Sequence, residues 1–500
     1  MSNPYYISTA IHYPNGRPHI GHAYEMIAAD AVARFQRQQG RDVFFQTGTD
    51  EHGLKMVKTA RERDMTPRAL ADEMSGYFRE MTEVLDISCD RFIRTSEPEH
   101  YAASQAIWQA MADAGDLYLD RYEGWYSVRD EAFYEEKELT EGEGGEKLSP
   151  QGTPVEWTAE ETWFFRLSKY QQPLLDHFAA NPDFIRPESR RNEILRFVEG
   201  GLVDLSVSRT SFDWGVPVPG SPDHVMYVWV DALTNYITGA GYPHDPERFA
   251  KYWPADLHLI GKDIVRFHAV YWPAFLMSAK LPLPKQVFGH GFLLNRGEKM
   301  SKSVGNVVDP MELATLYGKD ALRYFLLRDV SFGQDGTFSD EAIVTRANAD
   351  LSNSFGNLAQ RTLAFIAKNC DGQVEEGRVE KADAILLAEV DVACAAFRSA
   401  FEDLALSQGI EAWMTGVFAC NLYIDTQAPW ALRKTDPDRM RAVLRTLVRA
   451  IRHLATTILP VIPSSTAKLL AILPSEDDEA FRIGTPTPIF PRLELQAIEA

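Results

Sequence analysis

The chain has 500 residues, which at about 150 residues per domain sets an expectation of roughly three domains. Apolar residues make up 45% and charged residues 24%, a globular balance that excludes a disordered chain, a collagen-like fibre and a coiled-coil rod. The formal charge of −20, from 71 acidic against 51 basic residues, excludes a uniformly basic coat for nucleic acid, so any polyanion must be met by local basic patches.

Residues 5–10 read as a short strand, followed by the polar turn Tyr13-Pro14-Asn15-Gly16-Arg17-Pro18. Apolar residues at helical spacing (Ile20, Tyr24, Ile27, Ala31, Phe35) predict a helix over 20–39, stopped by Gly40. Residues 43–46 read as a second strand and 48–53 as a loop. A β-α-β order of this kind predicts a parallel sheet. From 118 to 222 the pattern changes. Strand-like pieces at 125–128 and 163–167 flank an acidic, glycine-rich run over 135–147, and the region reads as a solvated insertion into the first domain. The α/β pattern resumes with strands at 225–230, 257–260 and 286–288 and a helix over 264–278. Beyond Asp340 the strand signals fade, and helices are predicted over 348–369, 381–406, 408–422 and 439–458. The last of these follows Asp436-Pro437, an N-cap with proline in the first turn.

The four cysteines, Cys89, Cys370, Cys394 and Cys420, are far apart with no CxxC pair. That argues against a disulfide framework and a cysteine-rich zinc site, and fits a reducing compartment. No apolar run reaches the about 18 residues that a membrane span needs. The N-terminus lacks the basic and apolar regions of a signal peptide. A cytoplasmic protein with no membrane partner is therefore expected.

Two segments could carry chemistry. Pro18-His19-Ile20-Gly21-His22 lies where a strand and turn hand over to a helix N-terminus, a place suited to anions. Gly21 admits a flat base or a phosphate, and two histidines three apart share a helix face. Read alone, this is equally a capped helix with two incidental histidines. Gly297-Glu298-Lys299-Met300-Ser301-Lys302-Ser303-Val304-Gly305-Asn306 places two lysines in a glycine-bounded loop, where fixed cations can stabilise charge on a transferring phosphorus. Read alone, it is equally an exposed basic loop.

Together, in this order and about 280 residues apart across an α/β region, the two segments resemble the HIGH and KMSKS signatures of class I aminoacyl-tRNA synthetases. Further stretches are similar to the methionyl-tRNA synthetase family over residues 6–454. They include Gly48-Thr49-Asp50-Glu51-His52-Gly53, Tyr122-Glu123-Gly124-Trp125-Tyr126, Phe164-Phe165-Arg166-Leu167-Ser168, Tyr227-Val228-Trp229-Val230-Asp231-Ala232-Leu233 and Gly261-Lys262-Asp263-Ile264-Val265-Arg266-Phe267-His268. The stretch Gly200-Gly201-Leu202-Val203-Asp204-Leu205-Ser206-Val207-Ser208-Arg209 belongs with them.

The resemblance implies an α/β fold: a Rossmann-like parallel-sheet catalytic domain (1–117 and 223–345), an inserted connective domain (118–222), an α-helical bundle that binds the anticodon (346–485) and a tail (486–500). It implies ATP-dependent attachment of L-methionine to tRNA(Met) through methionyl-adenylate, with Mg²⁺ on the nucleotide. Positions matching the family assign the methionine side chain to Ala10, Ile11, Tyr13, Trp229, Ala232, Tyr236 and His268, and the amino group to Asp50. Aromatic rings suit a polarisable sulfur, and a carboxylate suits an ammonium. Without the resemblance, Trp229, Tyr236 and His268 read as core. ATP is assigned to His19, Gly21, His22, Glu25, Gly261, Asp263, Lys299 and Lys302, with His19, His22, Lys299 and Lys302 as the catalytic set. Asp263 alone could instead cap the next helix, and Arg209, near the active site in the family, could instead form a structural salt bridge.

Asn357, Arg361, Pro429 and Trp430 match anticodon-reading positions, where an exposed ring can stack on an unpaired base. Trp430 as packed core is the alternative. Seven basic residues against two acidic between Ala431 and Arg452 could hold phosphates, or form a solvated helix face. Many family members carry a zinc knuckle of cysteine pairs in the insertion. Here Tyr126-Ser127-Val128-Arg129-Asp130 and Leu148-Ser149-Pro150-Gln151-Gly152 stand in those places, so no structural zinc is expected. The chain ends soon after the helical region, so a monomer is expected. A catalytically silent RNA-binding relative would share the fold, but intact His19, His22, Lys299 and Lys302 speak against it.

Overall fold

The computed structural model describes residues 3–127, 129, 132–142, 145–295, 297–299, 307–475 and 481–495. It divides into two compact units: Met1–Pro18 with Gln39–Glu83 and Ser88–His290, and His19–Gln38 with Val84–Ile87 and Gly291–Ala500.

The first unit is built on strands β1 (Pro4–His12), β2 (Asp42–Thr49), β3 (Arg91–Arg94), β4 (Ile185–Arg186), β5 (Leu257–Gly261) and β6 (Val287–His290). They form one sheet in the order β3-β2-β1-β5-β6-β4, and every neighbouring pair is parallel. The predicted strands at 5–10, 43–46, 257–260 and 286–288 fall within or overlap these elements. Most residues of β1, β2 and β5 are buried, which is why they read as apolar runs and not as alternation. The chain passes from β1 outward to β2 and β3, then returns to lay β5 on the other side of β1. Open sheets bind ligands outside the carboxyl ends of strands at such a reversal.

Local geometry shapes that edge. The pairing of β1 with β2 slips between Ser8↔Gln46 and Ile11↔Gly48, so β1 carries one extra residue beside Ala10. A Cβ on Gly48 would lie 2.0 Å from the Ile93 carbonyl oxygen, so only glycine fits there. Helix α1 (Ile20–Gln38), between β1 and β2 in the chain, belongs to the second unit.

Two helices of the first unit matter here, α2 (Pro98–Asp113) and α3 (Val228–Gly239). The sequence read 225–230 as a strand, but the strand is Ser221–Met226 and residues 228–230 open α3. Val228, Trp229 and Val230 favour strands intrinsically, and tertiary packing overrides that preference. The helix expected over 264–278 is a 3-10 turn (Lys262–Ile264), a π-helical stretch (Phe267–Tyr271) and an α-helix (Trp272–Ser278).

The insertion is led by two antiparallel strands, Leu117–Ser127 and Glu156–Phe165. Its two cysteine-free stretches are joined by buried hydroxyls: Thr153 Oγ1 lies 2.6 Å from Ser127 Oγ and 2.9 Å from Ser149 Oγ. Hydrogen bonds thus link the two stretches.

The second unit contains a small sheet of β7 (Leu293–Asn295), β8 (Glu298–Lys299) and β9 (Gly336–Phe338). Its helices include α4 (Lys319–Asp329), α5 (Asn357–Asn369), α6 (Lys381–Glu402), α7 (Leu406–Gln427), α8 (Pro429–Thr435) and α9 (Pro437–Ile458). The helix predicted over 348–369 is π-helical from Ala347 to Gly356 before α5 begins. Asp436 caps α9, its side chain accepting the Arg439 amide at 3.1 Å. Helix α9 buries Val443, Leu444, Leu447, Val448, Ile451 and Leu454, one apolar stripe at helical spacing. Among the described residues no helix is long and apolar enough to cross a membrane.

Candidate active site

At the carboxyl edge of the first unit's sheet, Ala10 and Ile11 lie in the last turn of β1, Asp50 follows β2, and Gly261 ends β5. The amide of Asp50 donates to the His12 carbonyl at 2.9 Å, and its side chain is buried. Tyr13 donates its hydroxyl to the His52 carbonyl at 2.9 Å and accepts the Met56 amide at 3.2 Å. The end of β1 and Tyr13 are thus tied to the loop that follows β2.

Helix α3 supplies Trp229, Ala232 and Tyr236. The Trp229 ring stacks on Phe267 at 3.7 Å with planes 5° apart, and meets His268 edge-on at 6.1 Å. His268 Nδ1 lies 2.9 Å from the Ile264 carbonyl, which can only accept, so the proton sits on Nδ1. Its Nε2, 2.7 Å from the Tyr236 hydroxyl, then accepts. The Tyr6 hydroxyl in turn donates to the Tyr236 carbonyl at 2.9 Å. Beneath this chain the His258 ring lies 4.1 Å from the Tyr236 ring, tilted by 34°, and burial pushes its pKa well below the ordinary value. Trp229, Tyr236 and His268 are therefore brought together beside α3.

Gly261 sits under its neighbour: a Cβ there would lie 2.7 Å from an Asp263 carboxylate oxygen. Arg209 is buried, donates to Ser206 Oγ at 2.9 Å and the Ser208 carbonyl at 2.6 Å, and lies 4.6 Å from the Tyr227 ring centroid.

In the second unit, His19 precedes α1 and its carbonyl accepts the amides of His22 at 2.9 Å and Ala23 at 3.2 Å. The His19 amide donates to His22 Nδ1, and the Gly21 amide to His19 Nδ1, both at 3.1 Å. The two rings stack at 3.8 Å. An accepting Nδ1 places the proton of each neutral imidazole on Nε2, so both rings present an N–H donor. The sequence offered the helix amides themselves to an anion. Here Ile20, Gly21 and His22 amides already have partners, and the imidazoles take over as donors. Gly21 has a steric reason as well: a Cβ would lie 2.9 Å from His19 Cε1. Glu25, buried, follows one turn later on α1. Asp30 anchors the same helix through a fully buried ion pair with Arg323 of α4 at 2.6 Å.

The backbone of Lys299 pairs opposite Leu294. Lys302 lies outside the described residues. The Val308 carbonyl accepts the Ile20 amide at 3.0 Å, at the head of α1.

In the helical region Asn357 opens α5 and Arg361 follows one turn on. Arg361 donates to Asp425 at 2.7 Å, and its guanidinium lies 5.3 Å from the Trp430 ring centroid. Trp430 is 46% exposed, which rules out the packed-core alternative. Pro429 is the buried first residue of α8, set by Ala428 at φ 42°. In the basic run after it Arg433, Lys434 and Arg449 are exposed. Arg439 is buried in a two-pronged pair with Asp383 at 2.7 and 2.6 Å. Arg445 donates to the Val374 carbonyl at 2.8 Å, Arg452 to the Pro474 carbonyl at 3.0 Å, and Arg441 to the Glu376 carbonyl at 3.2 Å. These four arginines thus have partners within the fold.

Residues that no motif singled out also belong to this region: His52, His100 and Asp231 form a buried cluster, and Arg94 pairs with Glu51 at 2.6 Å. Glu51, His52 and Asp231 stood within recognisable stretches, whereas Arg94 and His100 did not. Among the described residues no group of three or more His, Cys, Asp or Glu is arranged to hold a metal ion.

Comparison with known proteins places these features in a family. The family described as tRNA synthetases class I (M) matches residues 5–363, and the anticodon binding domain of methionyl tRNA ligase matches residues 374–485. A methionine–tRNA ligase of Brucella suis is 58% identical over 502 aligned residues, covering 98% of each chain. One from Mesorhizobium japonicum is 60% identical, covering 94% of this chain and 91% of its own. The structure of Mycobacterium tuberculosis methionyl-tRNA synthetase with methionyl-adenylate is similar with a TM-score of 0.95 at 54% identity, covering 98% of this chain and 100% of that one.

Proposed function

We infer the roles of these residues from one premise, that the chain belongs to the methionyl-tRNA synthetases of class I. Its reaction is the ATP-dependent joining of methionine to tRNA through methionyl-adenylate. In the proposed mechanism Asp50 pairs with the methionine ammonium, while Ala10, Ile11, Tyr13, Trp229, Ala232, Tyr236 and His268 wall the thioether. ATP is held by His19, Gly21, His22, Glu25, Gly261 and Asp263 with Lys299 and Lys302. A methionine carboxylate oxygen attacks the α-phosphorus, the bond to the bridging oxygen breaks, and pyrophosphate leaves with the electron pair. The Nε2–H groups of His19 and His22 and the ammonium groups of Lys299 and Lys302 stabilise the charge that builds there. A tRNA ribose hydroxyl then attacks the methionyl carbonyl and AMP departs.

The observation that carries this reading is the Ile20–Val308 hydrogen bond. It brings Val308, two residues past the second signature, to the head of α1, which supports a shared triphosphate. Mg²⁺ would travel on the nucleotide, whose phosphate oxygens suit it. The described residues offer no carboxylate cage, so no step is assigned to the ion. We further propose that residues 118–222 form the connective domain and 346–485 the anticodon-binding domain, and that the chain acts as a monomer. Methionine alone of the twenty amino acids should drive ATP–pyrophosphate exchange. Equal stimulation by leucine or isoleucine would overturn the pocket assignment.

Asn357, Arg361, Pro429 and Trp430 are proposed to read the anticodon, with Trp430 and the Arg361 guanidinium stacking on unpaired bases. Trp430→Ala should lower aminoacylation of tRNA(Met) roughly tenfold to a hundredfold, the worth of one stacked base. Pyrophosphate exchange should stay unchanged. A matched loss of both activities in folded protein would contradict the assignment.

A further inference from the structure

Between the loop after β2 and the head of α3, one buried carboxylate is held by two imidazoles. Asp231 lies 2.6 Å from His52 Nδ1 and 2.6 Å from His100 Nε2. All three side chains are at most 2% exposed. An ionised carboxylate can only accept, so each imidazole turns an N–H toward it. The other nitrogens are engaged as well: His52 Nε2 meets the Tyr101 hydroxyl at 2.9 Å, and His100 Nδ1 meets Thr238 Oγ1 at 3.1 Å. Burial alone would raise the Asp231 pKa, but the charge of His52 and the hydrogen bonds from His100 and His52 hold it at about 2. Burial, together with the negative charge of Asp231, pushes the Tyr101 hydroxyl up to about 12. The remaining charged groups nearby, Glu51 and Arg94, are bound to each other at 2.6 and 3.0 Å. Asp231 therefore stays ionised and Tyr101 protonated through the neutral range.

The position of this cluster gives it a task. His52 stands two residues after Asp50, and Asp231 stands between Trp229 and Ala232. The same loop is pinned by the Trp214 indole to the Glu51 carbonyl at 2.6 Å. The hydrogen bond that Asp231 accepts from His52 thus ties the loop carrying Asp50 to the helix carrying Trp229, and the one it accepts from His100 ties that helix to α2.

We propose that His52, Asp231 and His100 are positioning residues for methionine, setting the distance between Asp50 and the α3 face so that affinity for the amino acid depends on them. The inference rests on the pocket assignment above. Buried hydrogen bonds to a charged group are strong, because losing one partner strands the charge.

The test is steady-state pyrophosphate exchange with the full-length chain. His52→Phe keeps a ring but has no donor, and should raise the methionine KM roughly tenfold to a hundredfold while the ATP KM and kcat stay within about twofold. His52→Asn sets an amide nitrogen near the place of Nδ1 and should recover to within about threefold of the parent. Parallel rises in both KM values, no change, or an asparagine variant as poor as phenylalanine would each overturn the proposal. Should His52→Phe fail to fold, His100→Leu against His100→Gln reads the same quantity, since the glutamine nitrogen stands near Nε2. Asp50→Ala separates the two levels. If Asp50→Ala leaves the methionine KM unchanged, the pocket assignment itself falls. If Asp50→Ala raises it and His52→Phe does not, only the positioning proposal falls.

Discussion

Lys302→Ala should slow methionine-dependent pyrophosphate exchange about 10²- to 10³-fold, with the KM values for methionine and ATP moving less than about threefold. The reason is where the charge is. Ground-state ATP already carries its negative charge spread over the phosphates. As the bond to the bridging oxygen breaks, charge concentrates on the leaving pyrophosphate, and a positioned ammonium gains most at that moment. Interactions made only in the transition state lower kcat and kcat/KM together. The described residues on either side have fixed partners: the backbone of Lys299 pairs opposite Leu294, and the Val308 carbonyl accepts the Ile20 amide. Lys302→Arg should recover only part of the loss, because a planar fork differs in reach and shape from a compact ammonium. If Lys302→Ala instead raises the ATP KM by as much as it lowers kcat/KM, with kcat intact, the lysine is a ground-state anchor.

His22→Ala is expected to cost a similar factor, about 10² or more in the exchange rate, by deleting one preorganised donor. The structure adds a stereochemical detail that makes the experiment sharper. Because His22 Nδ1 accepts the His19 amide, the donor for phosphate is Nε2–H. Glutamine places its amide nitrogen near Nε2, and asparagine near Nδ1. His22→Gln should therefore retain much more activity than His22→Asn. The opposite order would mean that the ring meets the nucleotide through its other edge. Gly21→Ala probes the same arrangement, since the added methyl collides with the His19 ring and tilts it away from His22. His22 and Lys302 serve one leaving group, so the double variant should be less than multiplicatively impaired.

Much of this was legible locally. The strand–turn–helix passage from β1 to α1 is written in adjacent residues: apolar runs, a proline-rich turn, helical spacing and Gly40 at φ 80°. The Asp436 cap of α9 could likewise be read, because a cap involves residues three apart. Other features were hidden because they depend on partners far along the chain. His52, His100 and Asp231 meet across 131 and 179 positions. Nothing around His100 in the sequence distinguishes it from an ordinary helical histidine. The arginines of α9 could be read as a phosphate-holding run or as a solvated face, while the structure pairs Arg439 with Asp383 and sets Arg445 on a backbone carbonyl. Counting charges in a segment cannot tell which of them the fold has already neutralised.

By itself, the sequence determined the class of chemistry, because signature residues lie close together where strands, turns and helix starts are set by neighbours. Only the tertiary structure decided the state of the groups it brings together: which imidazole nitrogen holds the proton, which arginines are paired within the fold, and which buried carboxylate is held by two imidazoles. Proton positions and ion pairs depend on atoms brought within about 3 Å, and the chain order of those atoms carries no record of that distance.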